Sequence, residues 1–128
     1  MRFEYHNFAF IGQESVWAAE AAYCANEQGM FWPYYYVLYA NQSGENQGAF
    51  NPDKLRQFAR DIGLDAKAFD KCFNSHRYVQ QIQKDNAAAR DRGIRSTPTF
   101  FVNGQELKGA HPFETFQQMI EAELAKVQ

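Results

Sequence analysis

The sequence predicts an α/β fold in the order strand, several helices, hairpin, helix. Three observations carry this. Thr99-Phe100-Phe101-Val102 is a run of β-branched and aromatic residues, and Asn103-Gly104 follows it directly. Both turn residues tolerate positive φ, so the pair is a strong signal for a tight hairpin. Helix start signals stand at Asn51-Pro52-Asp53 and at Asp65, each ahead of an apolar stripe. Finally, 128 residues with 45% hydrophobic and 16% aromatic side chains allow one packed domain.

The elements follow in order. Arg2 to Phe8 alternates, with Phe3, Tyr5 and Asn7 on one face and Arg2, Glu4 and His6 on the other. That pattern predicts a short strand. Phe8 to Glu14 is a connecting loop around Gly12. Ser15 is the expected N-cap of a helix over Val16–Gln28, which holds five alanines and no Gly or Pro. Gly29 is its expected C′ residue. A second helix is predicted over Met30–Tyr39, with Pro33 tolerable in its first turn. Asn41 to Ala49, polar with two glycines, reads as a flexible surface loop.

Asn51 supplies a cap, Pro52 the first helical position and Asp53 an acid in the first turn. Leu55, Phe58, Ala59 and Ile62 form that helix's stripe, and Gly63 ends it. Asp65 caps a shorter helix with Ala68, Phe69, Cys72 and Phe73 on one side. A longer helix runs from Arg77 or Tyr78 to Arg92, with Val79, Ile82, Asn86 and Ala89 sharing a stripe and Gly93 closing it. Gln105 to Leu107 is the returning strand of the hairpin. Pro112 to Val127 is the last helix, with Phe113, Phe116, Ile120 and Leu124 predicted inward.

Composition excludes several classes. The net charge of −2 gives no reason to expect a nucleic-acid partner. Arg90, Arg92 and Arg95 are most simply a solvated helix end beside the C-terminal dipole. The longest apolar run, Met30 to Ala40, contains Pro33 and falls well short of the about 20 residues of a membrane span. His6, His76 and His111 lack the spacing of a zinc site, so no metal is expected. The first residues place Glu4 and His6 where a signal peptide needs an apolar core, so no export signal is expected here. The aromatic run Phe31, Trp32, Tyr34, Tyr35, Tyr36 and Tyr39 reads as core packing with surface hydroxyls rather than a ligand platform.

Gly93-Ile94-Arg95-Ser96-Thr97-Pro98-Thr99-Phe100-Phe101-Val102-Asn103-Gly104 resembles the cis-proline segment of DsbA-like thioredoxin-fold proteins. Ala18 to Trp32, Ile62-Gly63-Leu64-Asp65, Asp70-Lys71-Cys72-Phe73 and Leu107-Lys108-Gly109-Ala110 are similar to further segments of that family, in the same order. The resemblance implies a thioredoxin-like core with a helical insertion over about 15–92 and a cis-Pro hairpin and C-terminal helix over 93–128, a single but incomplete domain. It implies protein-disulfide oxidoreductase chemistry on extended or unfolded protein substrates. It further implies an extracytoplasmic place (periplasm or cell surface), a membrane redox partner for the intact protein, and no cofactor.

The chain departs from the family pattern at one point. The first strand, the Cys-x-x-Cys and most of the active-site helix have no counterpart here. The chemistry needs that dithiol, because a helix N-terminus lowers the pKa of the attacking cysteine and the second cysteine resolves the mixed disulfide. No catalytic residue is therefore assigned. The strands predicted at Arg2–Phe8 and Thr99–Val102 would flank the missing strand and expose open edges, through which oligomers could form. A fragment of a longer protein, from a truncated reading frame or a mistaken start, is the expectation. In the family, Thr97-Pro98 is a cis peptide facing the dithiol, and the backbone before the proline pairs with substrate. A trans peptide at a strand start is the plain alternative.

The two cysteines, Cys24 and Cys72, lie on apolar faces of predicted helices. Some family members join corresponding positions by a structural disulfide. Closing such a loop of about 50 residues stabilises by about 4 kcal/mol in the chain-entropy model. Two buried free thiols, or a redox-active pair, are the alternatives. For the whole chain, a redox-inactive peptide- or partner-binding module stands as the alternative to an oxidoreductase domain.

Overall fold

The computed structural model describes residues 1–127. It holds α1 (Gln13–Glu27), α2 (Phe31–Ala40), α3 (Pro52–Asp61), α4 (Ala66–Ser75), α5 (Val79–Asp91), β1 (Thr99–Val102), β2 (Gln105–Lys108) and α6 (Phe113–Ala125). The chain divides into two compact units, residues 1–88 and 89–128.

The first unit is helical. Its core joins Ala21, Cys24 and Ala25 of α1, Tyr34 of α2, Leu55 and Ala59 of α3, and Phe69, Cys72 and Phe73 of α4. Small residues on α1 let the neighbouring helices approach closely. Local signals set the helix ends. Asn51 accepts from the Lys54 N–H at 2.9 Å and Asp65 from the Ala68 N–H at 2.8 Å, so both predicted caps are formed. Gly29, Gly63 and Gly93 stop α1, α3 and α5 by the same pair of backbone bonds. At Gly93, its N–H meets the Arg90 carbonyl at 2.9 Å and the Ile94 N–H meets the Ala89 carbonyl at 3.0 Å.

Four expectations are corrected. Residues 2–8 form no strand. The only sheet among the described residues is the two-stranded β1–β2, so nothing pairs with that segment as a ladder. Its aromatic side chains lie instead on α2, with Phe3 5.5 Å from Trp32 and Tyr5 5.4 Å from both Phe31 and Tyr35, centroid to centroid. Second, α1 starts at Gln13 after Gly12, and Ser15 is not its cap. Third, the loop after α2 is pinned rather than free. Glu14 accepts from the Gly48 N–H at 2.6 Å, and the Asn46 amide donates to the Ile11 carbonyl at 3.0 Å. Gly12 holds φ +153, and a Cβ there would stand 2.3 Å from that Asn46 side chain and displace it, so the position favours glycine. Fourth, α6 buries no residue, and Phe113 and Leu124 are exposed. Two four-residue strands are too small to cover the stripe of a 13-residue helix.

In the second unit, β1 and β2 pair antiparallel from Thr99↔Lys108 to Val102↔Gln105. Asn103 (φ +47) and Gly104 (φ +84) make the turn, as a two-residue hairpin demands.

Candidate functional site

Alternation along β1 gives its two faces different neighbours. Phe100 meets Phe116 of α6 edge-on, with centroids 4.7 Å apart. Phe101 is covered by the Arg92 guanidinium at 3.8 Å, a cation–π contact. Arg92 thus packs on the hairpin, a role that its place in a charged helix end does not announce. The turn is tied to α6 through Glu123, which accepts from Gln105 at 2.8 Å, Asn103 at 3.2 Å and Lys126 at 2.5 Å. Lys126 first, and then the two amides, hold this carboxyl below its ordinary pKa.

Thr97 and Pro98 lead into β1, and the peptide bond between them is cis. The Pro98 carbonyl accepts from the Gly109 N–H at 2.8 Å, and Thr99 Oγ1 donates to the Ser96 carbonyl at 2.7 Å. Both Thr97 and Pro98 are exposed. Among the described residues β1 has one strand neighbour, β2. Its other edge carries no strand among the described residues.

In the first unit Cys24 and Cys72 form a disulfide between α1 and α4, with Cα atoms 5.8 Å apart and each residue 1% exposed. Neither sits at a helix N-terminus. The disulfide and the Thr97–Pro98 segment belong to different units.

Polar groups surround α1, among them Glu20 and Tyr23, which the sequence pattern did not single out. Glu20 is buried and pairs with His76 Nδ1 at 2.8 Å. Its place between alanines on an apolar face is the one hint in the sequence. Tyr23 donates to Asp85. Its hydroxyl is pushed up to about 12, by desolvation first and by Asp85 next. The Asn86 side chain bonds both the N–H and the carbonyl of Ala9, at 2.9 and 3.0 Å, and so acts like a strand neighbour. A cleft of about 200 Å³ lies among Tyr5, Asn7, Tyr23, Asn26, Phe31 and Trp32. His6 bonds Glu4 at 3.2 Å, and both are exposed. No three His, Cys, Asp or Glu side chains cluster as metal ligands among the described residues. No described helix is long and apolar enough to cross a membrane.

Comparison with known proteins adds to this geometry. A family model described as Thioredoxin matches residues 1–122. The crystal structure of a thioredoxin-like oxidoreductase from Silicibacter pomeroyi DSS-3 superposes with a TM-score of 0.74 at 23% identity, over 94% of this chain and 67% of that one. That likeness is one of fold. Two curated relatives are a Na(+)/H(+) antiporter NhaA from Herminiimonas arsenicoxydans, 33% identical over 105 residues, and Na(+)/H(+) antiporter NhaA 1 from Salinispora arenicola, 32% identical over 108 residues. The matches take in 82% and 84% of this chain but only 16% of either antiporter's length. A family match over nearly every residue, and a fold shared with a thioredoxin-like oxidoreductase, lead to one conclusion: the chain belongs to the thioredoxin family.

Proposed function

We propose that these residues are the substrate-docking part of a DsbA-like thiol–disulfide oxidoreductase domain. An extended or unfolded protein segment adds as a strand along the open edge of β1, with its first backbone contacts at Thr97 beside Pro98. The observation that supports this is the exposed Thr97–Pro98 entry to a strand paired on one side only. Backbone bonds give such docking its affinity without demanding a particular sequence, which suits a protein that handles many unfolded chains.

Exchange itself is assigned to a Cys-x-x-Cys, which none of these 128 residues forms. Cys24 and Cys72 are bonded to each other and buried, and neither sits at the N-terminus of its own helix, where an attacking thiolate is favoured. In this reading they take no part in exchange with the substrate. A persistent disulfide suits an oxidising compartment, so the proposed place of action is extracytoplasmic. The antiporter name describes the whole relatives, and no ion transport is proposed for this chain. A membrane-bound redox partner and a second copy pairing at the same edge are further proposed partners, checked by crosslinking and by solution mass.

Insulin reduction with dithiothreitol tests the reading. The wild-type chain and a Cys24→Ala/Cys72→Ala variant are expected to show the same background turbidity rate. A wild type that outpaces the variant overturns it and makes Cys24 and Cys72 the active pair. The absence of a Cys-x-x-Cys also favours a second reading, a redox-inactive binding module. It is separated from the first by joining a Cys-x-x-Cys-bearing segment to the chain: gain of reductase activity supports the oxidoreductase reading, and peptide binding without gain supports the module.

A further inference from the structure

Glu20, Tyr23, Cys24 and Glu27 stand at i, i+3, i+4 and i+7 of α1, so they share one face of that helix. The chain leaving α4 crosses this face. Cys72 is bonded to Cys24. Beyond it, His76 pairs with Glu20 at 2.8 Å, on one side of Cys24. Arg77 Nη1 donates to Glu27 Oε1 at 3.0 Å and the Tyr78 hydroxyl to the same oxygen at 2.7 Å, on the other side. The Tyr78 ring stacks on Tyr23 with centroids 4.8 Å apart and planes within 9°. Residues 76–78 therefore straddle the stretch of α1 that carries the disulfide.

Two features make this crossing a separable part. The His76 backbone holds φ +53, the left-handed region, which a non-glycine residue keeps only while its surroundings enforce it. The fastening groups on the turn are also well exposed, the His76 side chain 58% and that of Arg77 42%, and Glu27 opposite Arg77 is 32% exposed, whereas Glu20 opposite His76 is buried. Such bonds open locally without loss of the core. Cys24 and Cys72 are each 1% exposed, in a core against which Tyr78 of the crossing packs, and a disulfide so buried is barred to an attacking thiolate.

We propose that the His76–Tyr78 turn is a clasp that keeps the Cys24–Cys72 disulfide out of thiol exchange, and that its local release delivers this disulfide to a dithiol reductant. In the exchange a reductant thiolate attacks one sulfur and the Cys24–Cys72 bond breaks. The reductant's second thiolate then closes its own disulfide. Two electrons and two protons pass to the protein, which is left with two thiols. Reduction would free α4 from α1, so the clasp sets when the helical unit responds to the redox state around it.

The test is the rate of reduction by dithiothreitol in native buffer, read by alkylation and mass spectrometry. The wild type is compared with Arg77→Ala/Tyr78→Phe, which removes both bonds to Glu27 and leaves the buried Glu20 paired with His76. An Asn51→Ala variant, weakened at the α3 cap away from the clasp, is the control for global stability. Losing two charge-assisted bonds is expected to speed reduction by about tenfold or more, with the control at the wild-type rate. A clasp variant no faster than wild type, or a control accelerated as much, overturns the proposal. Should the double variant fail to fold, native-state hydrogen exchange on the wild type decides. The His76 and Val79 amides are expected to exchange through smaller openings than the α1 amides around Cys24, and exchange of both only on global unfolding contradicts the clasp.

Discussion

Tyr34 is fully buried, and its hydroxyl donates to the Leu55 carbonyl at 2.9 Å. Burial pushes its pKa far above the ordinary tyrosine value. A Tyr34→Phe variant is expected to lose about 1 kcal/mol, measured by urea unfolding. Tyr36, two residues on, is 66% exposed. The run Phe31 to Tyr39 reads as core packing, but only Tyr34 is buried, while Trp32, Tyr36 and Tyr39 are exposed, because the buried ring is set by which side of α2 meets α3. Tyr23 carries a pH dependence. Its folded-state pKa rises from 10.0 to about 12, so the neutral phenol is favoured in the folded chain. That stability is fully present below pH 10 and is lost as pH climbs toward 12. Tyr23→Phe is expected to flatten the fall in stability over this window, as read from melting temperature against pH.

Helix ends were legible at Asn51, Asp65, Gly29, Gly63 and Gly93, where a cap or stop is a local event, but not at Ser15, since α1 begins after Gly12 with no side-chain cap. Asn51→Ala and Asp65→Ala should each cost about 1 kcal/mol in thermal or urea unfolding. The hairpin was equally legible, since Asn103 and Gly104 answer a local demand for positive φ. Failures came where a partner decides. The alternation of residues 2–8 suits a strand, but a strand exists only against a neighbour, and Phe3 and Tyr5 took the rings of α2 instead. The loop after α2 looked free because Glu14 and Asn46, which pin it, are distant in sequence. Pairings such as Glu20 with His76 and Arg92 over Phe101 are of the same kind, and no spacing rule exposes them.

At the scale of the whole chain, one covalent link and one open edge dominate. The disulfide closes a loop spanning α2, α3 and most of α4, so Cys24→Ala/Cys72→Ala is expected to lose about 4 kcal/mol of stability in the helical unit under oxidising conditions. The open edge of β1 carries the functional claim, and it is tested by titrating the isotope-labelled chain with an extended, cysteine-free peptide while following backbone amide shifts. Saturable shifts centred on Ser96, Thr97 and Thr99 to Val102 are expected. Shifts centred instead on the Tyr5–Trp32 cleft, or none at peptide concentrations that saturate an intact thioredoxin-fold oxidoreductase, would contradict that claim.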